Sequence, residues 1–147
     1  MVEITRMLSQ LLIAAPAQTL RLEAPVDIGS REIMTRNNQV MGTGGSSDAG
    51  GFTSAYGICV SGRGLRILNN DVSDTRINAS GGQAYGIVIA QPNLSVGSVA
   101  VNNHITDAEF GLYGAGVSGV DWGKFLDNIT VNVTTPYTGG TDIGNNH

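Results

Sequence analysis

The chain has 147 residues, a net charge of −4 and only 14% charged residues, with 21 glycines and a single cysteine. This length fits one domain with a single core, and apolar residues are spread too evenly for a disordered chain. The acidic balance offers no phosphate-binding surface, so nucleic acid is not an expected partner. The lone Cys59 excludes an internal disulfide framework and a cysteine-based zinc site. No metal or cofactor is predicted.

The first segment, residues 1–18, has its apolar residues on one helical face and reaches a proline at Pro16. We predict a short amphipathic helix that caps the exposed end of the core; the alternative is a helix that is detached or binds a partner. Ser9 and Gln10 interrupt the apolar run, which argues against a signal peptide. No apolar run is long enough to span a membrane. The apolar face consists of Ile4, Leu8, Leu11 and Leu12.

After a predicted strand at residues 19–24, two short motifs alternate along the chain. The first is Asn-Asn or Asp-Asn, then any residue, then a β-branched residue; its copies begin at Asn37, Asn69, Asn102 and Asp127. The second is an aromatic residue, a glycine and an aliphatic residue; its copies begin at Tyr56, Tyr85 and Phe110. The shortest cycle is about 21 to 25 residues, and cycles of 32 and 33 residues contain loop insertions at 41–55 and 73–84. Such periods are typical of solenoids.

The predicted strands in each cycle are short and rich in Ile, Val and Leu, with no helical stretch between them. This excludes leucine-rich and helical repeats and predicts an all-β fold, a parallel β-helix of about four or five coils over residues 19–133. Residues 134–147 leave the pattern and are predicted to form an irregular tail. The second asparagine of each pair is predicted to stack as a buried ladder of mutually bonded amides, namely Asn38, Asn70, Asn103 and Asn128.

The segments YGICV…LRILNNDV, YGIVI…VAVNNHI and FGLYG…KFLDNIT resemble the right-handed parallel β-helix superfamily, which includes pectate-lyase-like enzymes and phage tailspikes. The resemblance spans roughly residues 31–133 and implies a right-handed solenoid with an N-terminal amphipathic capping helix. It also implies an exported protein, extracellular or on a virion or cell surface, of bacterial or phage origin. The calcium motifs of pectate lyases and the Asp-Asp signature of polygalacturonases are not recognisable. The same scaffold hosts enzymes, adhesins and inert spacers.

Two aspartates are the candidate catalytic residues. Asp74 and Asp107 each follow a ladder asparagine by four residues, so stacking would bring their carboxylates within roughly 5 Å of each other. That is close to the separation in a retaining glycosidase, and repulsion between the two charges would leave one carboxyl as acid and the other as base. The alternative is that each aspartate bonds the backbone of its own turn.

Four further residues are expected on the same edge of the repeat region as Asp74 and Asp107, and they are candidates for substrate binding: Asp71, Arg76, His104 and Glu109. Asp71 and His104 align one residue after the ladder and are expected to form a carboxylate–imidazole pair. Such a pair either contacts substrate or is only a solvated surface pair.

Three functions remain open from the sequence. The first is a polysaccharide-interacting module of an oligomeric tailspike-like or exported protein; if the protein is an enzyme, it is a polysaccharide lyase or a glycoside hydrolase. The second is a non-catalytic assembly protein, because Leu68, Val101 and Leu126 align with Arg36 at an outward position and suggest a lateral interface. The tailspike resemblance implies a trimer. The third is a fragment of a longer polysaccharide lyase or hydrolase.

Overall fold

The computed structural model describes residues 20–23, 33–44, 54–62, 64–77, 81–90, 97–114 and 123–147. Within these ranges the chain is all-β and contains no helix. Its strands are β1 (Leu20–Glu23), β2 (Met34–Arg36), β3 (Gln39–Met41), β4 (Ala55–Ser61), β5 (Arg66–Leu68), β6 (Asp71–Ser73), β7 (Ala84–Ala90), β8 (Val99–Val101), β9 (His104–Gly114), β10 (Lys124–Leu126), β11 (Ile129–Thr138) and β12 (Thr141–Asp142).

These strands pair in parallel and form two sheets. The larger sheet has seven strands in the order β1-β4-β7-β9-β6-β3, with β11 added on β9, and the smaller has five in the order β12-β10-β8-β5-β2. Tyr56 lies opposite Tyr85 and Tyr85 opposite Phe110, while Ala100 lies between Ile67 and Phe125. The predicted alignment of the aromatic-Gly-aliphatic copies is confirmed by the pairing of Tyr56, Tyr85 and Phe110.

The prediction of a right-handed parallel β-helix solenoid is wrong. The two sheets have a half-barrel curl, and they do not form a clear solenoid. The large sheet forks at β9, whose first part pairs with β6 and whose last part pairs with β7. The fork arises because the loop between β6 and β7 has no counterpart within β9. Successive cycles therefore contribute different strands, and no uniform coil repeats.

Several sequence predictions lie outside the described residues. These include the N-terminal capping helix at 1–18, most of the inserted loop at 41–55 and part of the loop at 73–84. The predicted division into a cap and a repeat region stays a prediction.

The core is built from both sheets. The small sheet contributes Ile67, Ala100 and Phe125, and the large sheet contributes residues such as Ile87 and Leu112; all five side chains are at most 1% exposed. Fully burying side chains of the larger kinds contributes about 1.5–3 kcal/mol each. Because side chains of both sheets belong to one buried cluster, this core holds the two sheets together.

The last residues of the chain differ from the irregular tail that the sequence predicts. Strand β11 continues to Thr138, and β12 pairs with β10. Asn146 then takes the position of a further ladder asparagine: its Oδ1 accepts a hydrogen bond from Asn128 Nδ2 at 2.8 Å, and its Nδ2 donates to Phe125 O at 2.9 Å. This copy follows the previous one by 18 residues, and so short a cycle concealed it in the sequence.

Candidate functional site

The second asparagines of the repeat form an inner ladder that holds neighbouring strands together. Its members are Asn38, Asn70, Asn103, Asn128 and Asn146. In each step, the Oδ1 atom of one asparagine accepts hydrogen bonds from both the backbone N–H and the side-chain amide of the preceding one. Asn70, Asn103 and Asn128 are at most 2% exposed. The inner ladder is therefore structural and offers no groups to a ligand.

The first residues of the same pairs form a second, exposed row that sequence reasoning missed. All of them have a left-handed backbone with φ between 52° and 56°, a conformation that asparagine and aspartate tolerate better than other side chains. Their side chains bond along the row, as Asn102 Nδ2 donates to Asn69 Oδ1 at 3.0 Å. The doubled asparagine of the motif was the signal for it. This outer row consists of Asn37, Asn69, Asn102, Asp127 and Asn145.

The predicted catalytic residues Asp74 and Asp107 lie at a matching left-handed turn, with φ of 56° and 54°. Gly42 and Asn132 take the same place in neighbouring copies, with φ of 67° and 55°. Asp74 forms an ion pair with Arg76, and Asp107 Oδ1 accepts a hydrogen bond from Asn132 Nδ2 at 3.2 Å. Each aspartate therefore has a local structural role, and a catalytic role stays a prediction.

The predicted binding residues separate into two groups. His104 Nδ1 lies 3.4 Å from Asp71 Oδ1, and both side chains are about half-exposed. Just after the end of β6, the side chains of Arg76 and Asp74 are 71% and 48% exposed. Glu109 lies apart from both pairs, because its Oε2 accepts a hydrogen bond from the Ala84 N–H at 3.2 Å.

A cluster of aromatic rings lies farther along β4, β7 and β9. The Tyr85 ring stacks between Tyr56 and Phe110, with centroids 5.4 and 4.9 Å away, and Tyr113 lies tilted at 4.9 Å. Burial raises the pKa of Tyr85, and Tyr113 raises that pKa further. The phenol therefore stays protonated and donates a hydrogen bond to Gln83 Oε1. We name Tyr56, Tyr85, Phe110 and Tyr113 the aromatic cluster.

Comparison with known proteins gives no match: no family profile, curated protein or solved structure is significantly similar to this chain. The superfamily resemblance therefore gains no support beyond the sequence segments that suggested it. The described ranges contain no group of three or more His, Cys, Asp or Glu residues arranged to hold a metal ion. No helix in this part of the chain is long and apolar enough to cross a membrane.

A pair of substitutions separates the turn role of Asp107 from a catalytic role. We expect Asp107→Gly to change the free energy of unfolding by less than about 1 kcal/mol, because glycine adopts a positive φ freely and occupies this turn at Gly42. Asp107→Val is expected to cost about 2 kcal/mol, since a β-branched residue is strained at that φ. Urea unfolding measures both. Equal stability of the two variants would contradict the turn role, and a catalytic role requires Asp107→Gly to abolish glycan cleavage.

Proposed function

We propose that the protein binds a polysaccharide, without cleaving it, on the outward face of β6 and the first part of β9. The observation that carries the proposal is the presence of two solvent-exposed pairs at the two ends of β6, Asp71–His104 at its start and Asp74–Arg76 just after its end. Each pair offers an oxygen acceptor beside a nitrogen donor. Neighbouring sugar hydroxyls need this combination, because each hydroxyl both donates and accepts.

The regular spacing of the strands favours a polymer as the ligand. Adjacent strands in a sheet lie about 4.7–4.9 Å apart, and the paired residues come from adjacent strands or the turn that follows one of them. The face therefore presents polar groups at repeated intervals on an exposed surface. Small-molecule sites are instead concave and enclose most of the ligand.

The aromatic cluster supports the same class of ligand. Phe110 and Tyr113 are neither fully buried nor fully exposed, and they lie on β9 after the bend at Asp107. Aromatic side chains offer an apolar surface together with, for tyrosine, a polar group. The C–H faces of sugar rings pack against such surfaces while the hydroxyls remain hydrogen-bonded.

Binding to a panel of acidic and neutral polysaccharides, measured by affinity electrophoresis and calorimetry, tests the proposal. We expect His104→Ala to weaken binding about tenfold, or about 1.4 kcal/mol, because it removes one donor next to a carboxylate. Lys124→Ala is the control, since Lys124 is an exposed residue of the small sheet. No binding across the panel, or equal losses in the two variants, would refute the proposal.

Assembly is the second candidate function. Leu68, Val101 and Leu126 are aligned in neighbouring strands as predicted, and they are half-buried. A lateral trimer built on this stripe stays a prediction, as do an extracellular location and membership of a longer enzyme. The specific observation that favours assembly is the distribution of exposed apolar side chains, which lie at the two ends of the sheets.

A further inference from the structure

Large apolar side chains that are exposed in the described residues lie only on the terminal strands or next to them. Met34 and Met41, at 40% and 63% exposure, lie on β2 and β3. Ile129, Val131 and Ile143, at 45%, 46% and 48%, lie on β11 and just after β12. One column of aligned residues shows the contrast between apolar ends and a polar middle. Met41 and Val131 are at its two ends, and Ser73 and Thr106 are in its middle.

The two ends of the inner ladder are chemically complementary. At one end, Asn38 donates from its N and Nδ2 atoms to Asn70 Oδ1, and its own Oδ1 accepts no hydrogen bond from the described residues. At the other end, the Asn146 backbone N–H has no acceptor within the same ranges. Its Nδ2 reaches Asp142 Oδ1, which stands where another ladder oxygen would be. One end thus offers the acceptor, and the other end offers the donors.

The edge strands at the two ends are also complementary in which of them are covered by a further strand. At the first end, β1 covers β4, while β2 and β3 have no outer partner among the described strands. At the opposite end, β12 and residues 145–147 cover β10 and the start of β11. Among the described strands, the rest of β11 pairs only with β9. Within the part of the chain that the structure describes, the half that is covered at one end is the half that is open at the other, and the strands run in the same direction throughout.

We infer that copies of this chain associate head to tail, with the Asn146 end of one copy on the Asn38 end of the next. Asn38 Oδ1 of the next copy then accepts from Asn146 N and replaces Asp142 Oδ1 as an acceptor of Asn146 Nδ2, as Asn70 Oδ1 accepts from Asn38 within the chain. Strand β12 pairs with β2, and β1 of the next copy pairs with the open part of β11. A head-to-tail interface that does not close by rotation produces linear assemblies.

The register of this contact sets which side chains meet. Thr141 aligns with Lys124, and Lys124 aligns through β8 and β5 with Met34. In the same register, Ile143, the residue after β12, lies opposite Arg36 of the next copy. Charge at residue 143 therefore acts on a cation across the interface, and the sign of that charge decides the effect.

Sedimentation velocity over a concentration series, with electron microscopy, tests the inference. We expect wild-type protein to form linear oligomers, and Ile143→Lys to raise the dissociation constant at least about tenfold by placing a cation next to Arg36. Ile143→Glu is expected to retain or strengthen association. Thr106→Lys adds the same charge away from the ends and is expected to leave association unchanged.

Several results would overturn head-to-tail association. One is a monomer at every concentration, and another is closed or side-by-side oligomers in the images. Equal effects of lysine and glutamate at residue 143 would also overturn it, as would an effect of Thr106→Lys equal to that of Ile143→Lys. Circular dichroism of each variant establishes that the fold is retained before association is compared.

Discussion

Asn103→Ala is expected to lower the free energy of unfolding by about 4 kcal/mol, among the largest effects of any single substitution in this chain. Asn103 Oδ1 accepts from Asn70 N and Nδ2 at 3.0 and 2.9 Å, and Asn103 Nδ2 donates to Ile67 O and Asn128 Oδ1 at 2.9 Å. Alanine leaves the buried backbone N–H of Asn70 without a partner and removes one of the two acceptors of its side-chain amide. Each buried donor or acceptor that is left without a hydrogen-bond partner costs about 1–3 kcal/mol.

The matched control for Asn103→Ala is Asn102→Gly in the adjacent outer row. Asn102 is exposed and has a φ of 52°, which glycine adopts without strain. Its loss removes one exposed amide bond to Asn69, so we expect a cost below about 1 kcal/mol. Guanidinium unfolding at constant pH measures both variants. A cost for Asn103→Ala no greater than that for Asn102→Gly would show that the inner ladder does not stabilise the fold.

The columns of aligned residues were predictable because parallel pairing keeps equivalent positions together. A one-residue slip would move the apolar residues of a strand to the opposite face, so the register is strongly determined. Tyr56 therefore lies opposite Tyr85, and the buried ladder asparagines lie in line. Local pattern and tertiary pairing agree at these positions, which is why the sequence alone was sufficient to identify them.

The overall arrangement of the sheets was not predictable in the same way. The alignment of copies indicates which residues are neighbours, but it does not determine whether successive cycles contribute the same strands. At β9, one continuous strand replaces the two strands β6 and β7 of the preceding copy. The final copy at Asn145 and Asn146 was missed for a related reason, because glycines 139 and 140 shorten its cycle.

The candidate site illustrates a second limit of sequence reasoning. Asp74 and Asp107 share a column, and the sequence could equally predict a pair of acids or a pair of turn residues. Backbone φ favours the turn role, and φ depends on the bend that follows each strand. The Asp71–His104 pair was predictable from alignment alone, because both residues immediately follow a ladder asparagine.

Gly57→Ala is expected to destabilise the protein by about 3 kcal/mol, because the glycine of the aromatic-Gly-aliphatic motif lies where two strands approach closely. A Cβ atom at Gly57 would lie well within 3.0 Å of both Val72 Cγ1 and the carbonyl oxygen of Gly86. Val72 is fully buried, and the Gly86 oxygen belongs to the backbone of β7. Neither atom can move without disturbing the core, and overpacking of this kind typically costs about 1–3 kcal/mol.

Two further variants identify the cause of the Gly57→Ala effect. Adding Val72→Ala removes the contact with Cγ1 but leaves the contact with the Gly86 oxygen, so the double variant is expected to stay less stable than Val72→Ala alone. Gly42→Asn is the glycine control, because nothing lies within 4 Å of its Cβ position and asparagine takes the equivalent turn at Asn132. We expect thermal unfolding to show almost no change for Gly42→Asn. If Gly57→Ala unfolds at the wild-type temperature, the close approach of β4 and β7 is not required, and the repeated glycine has another cause.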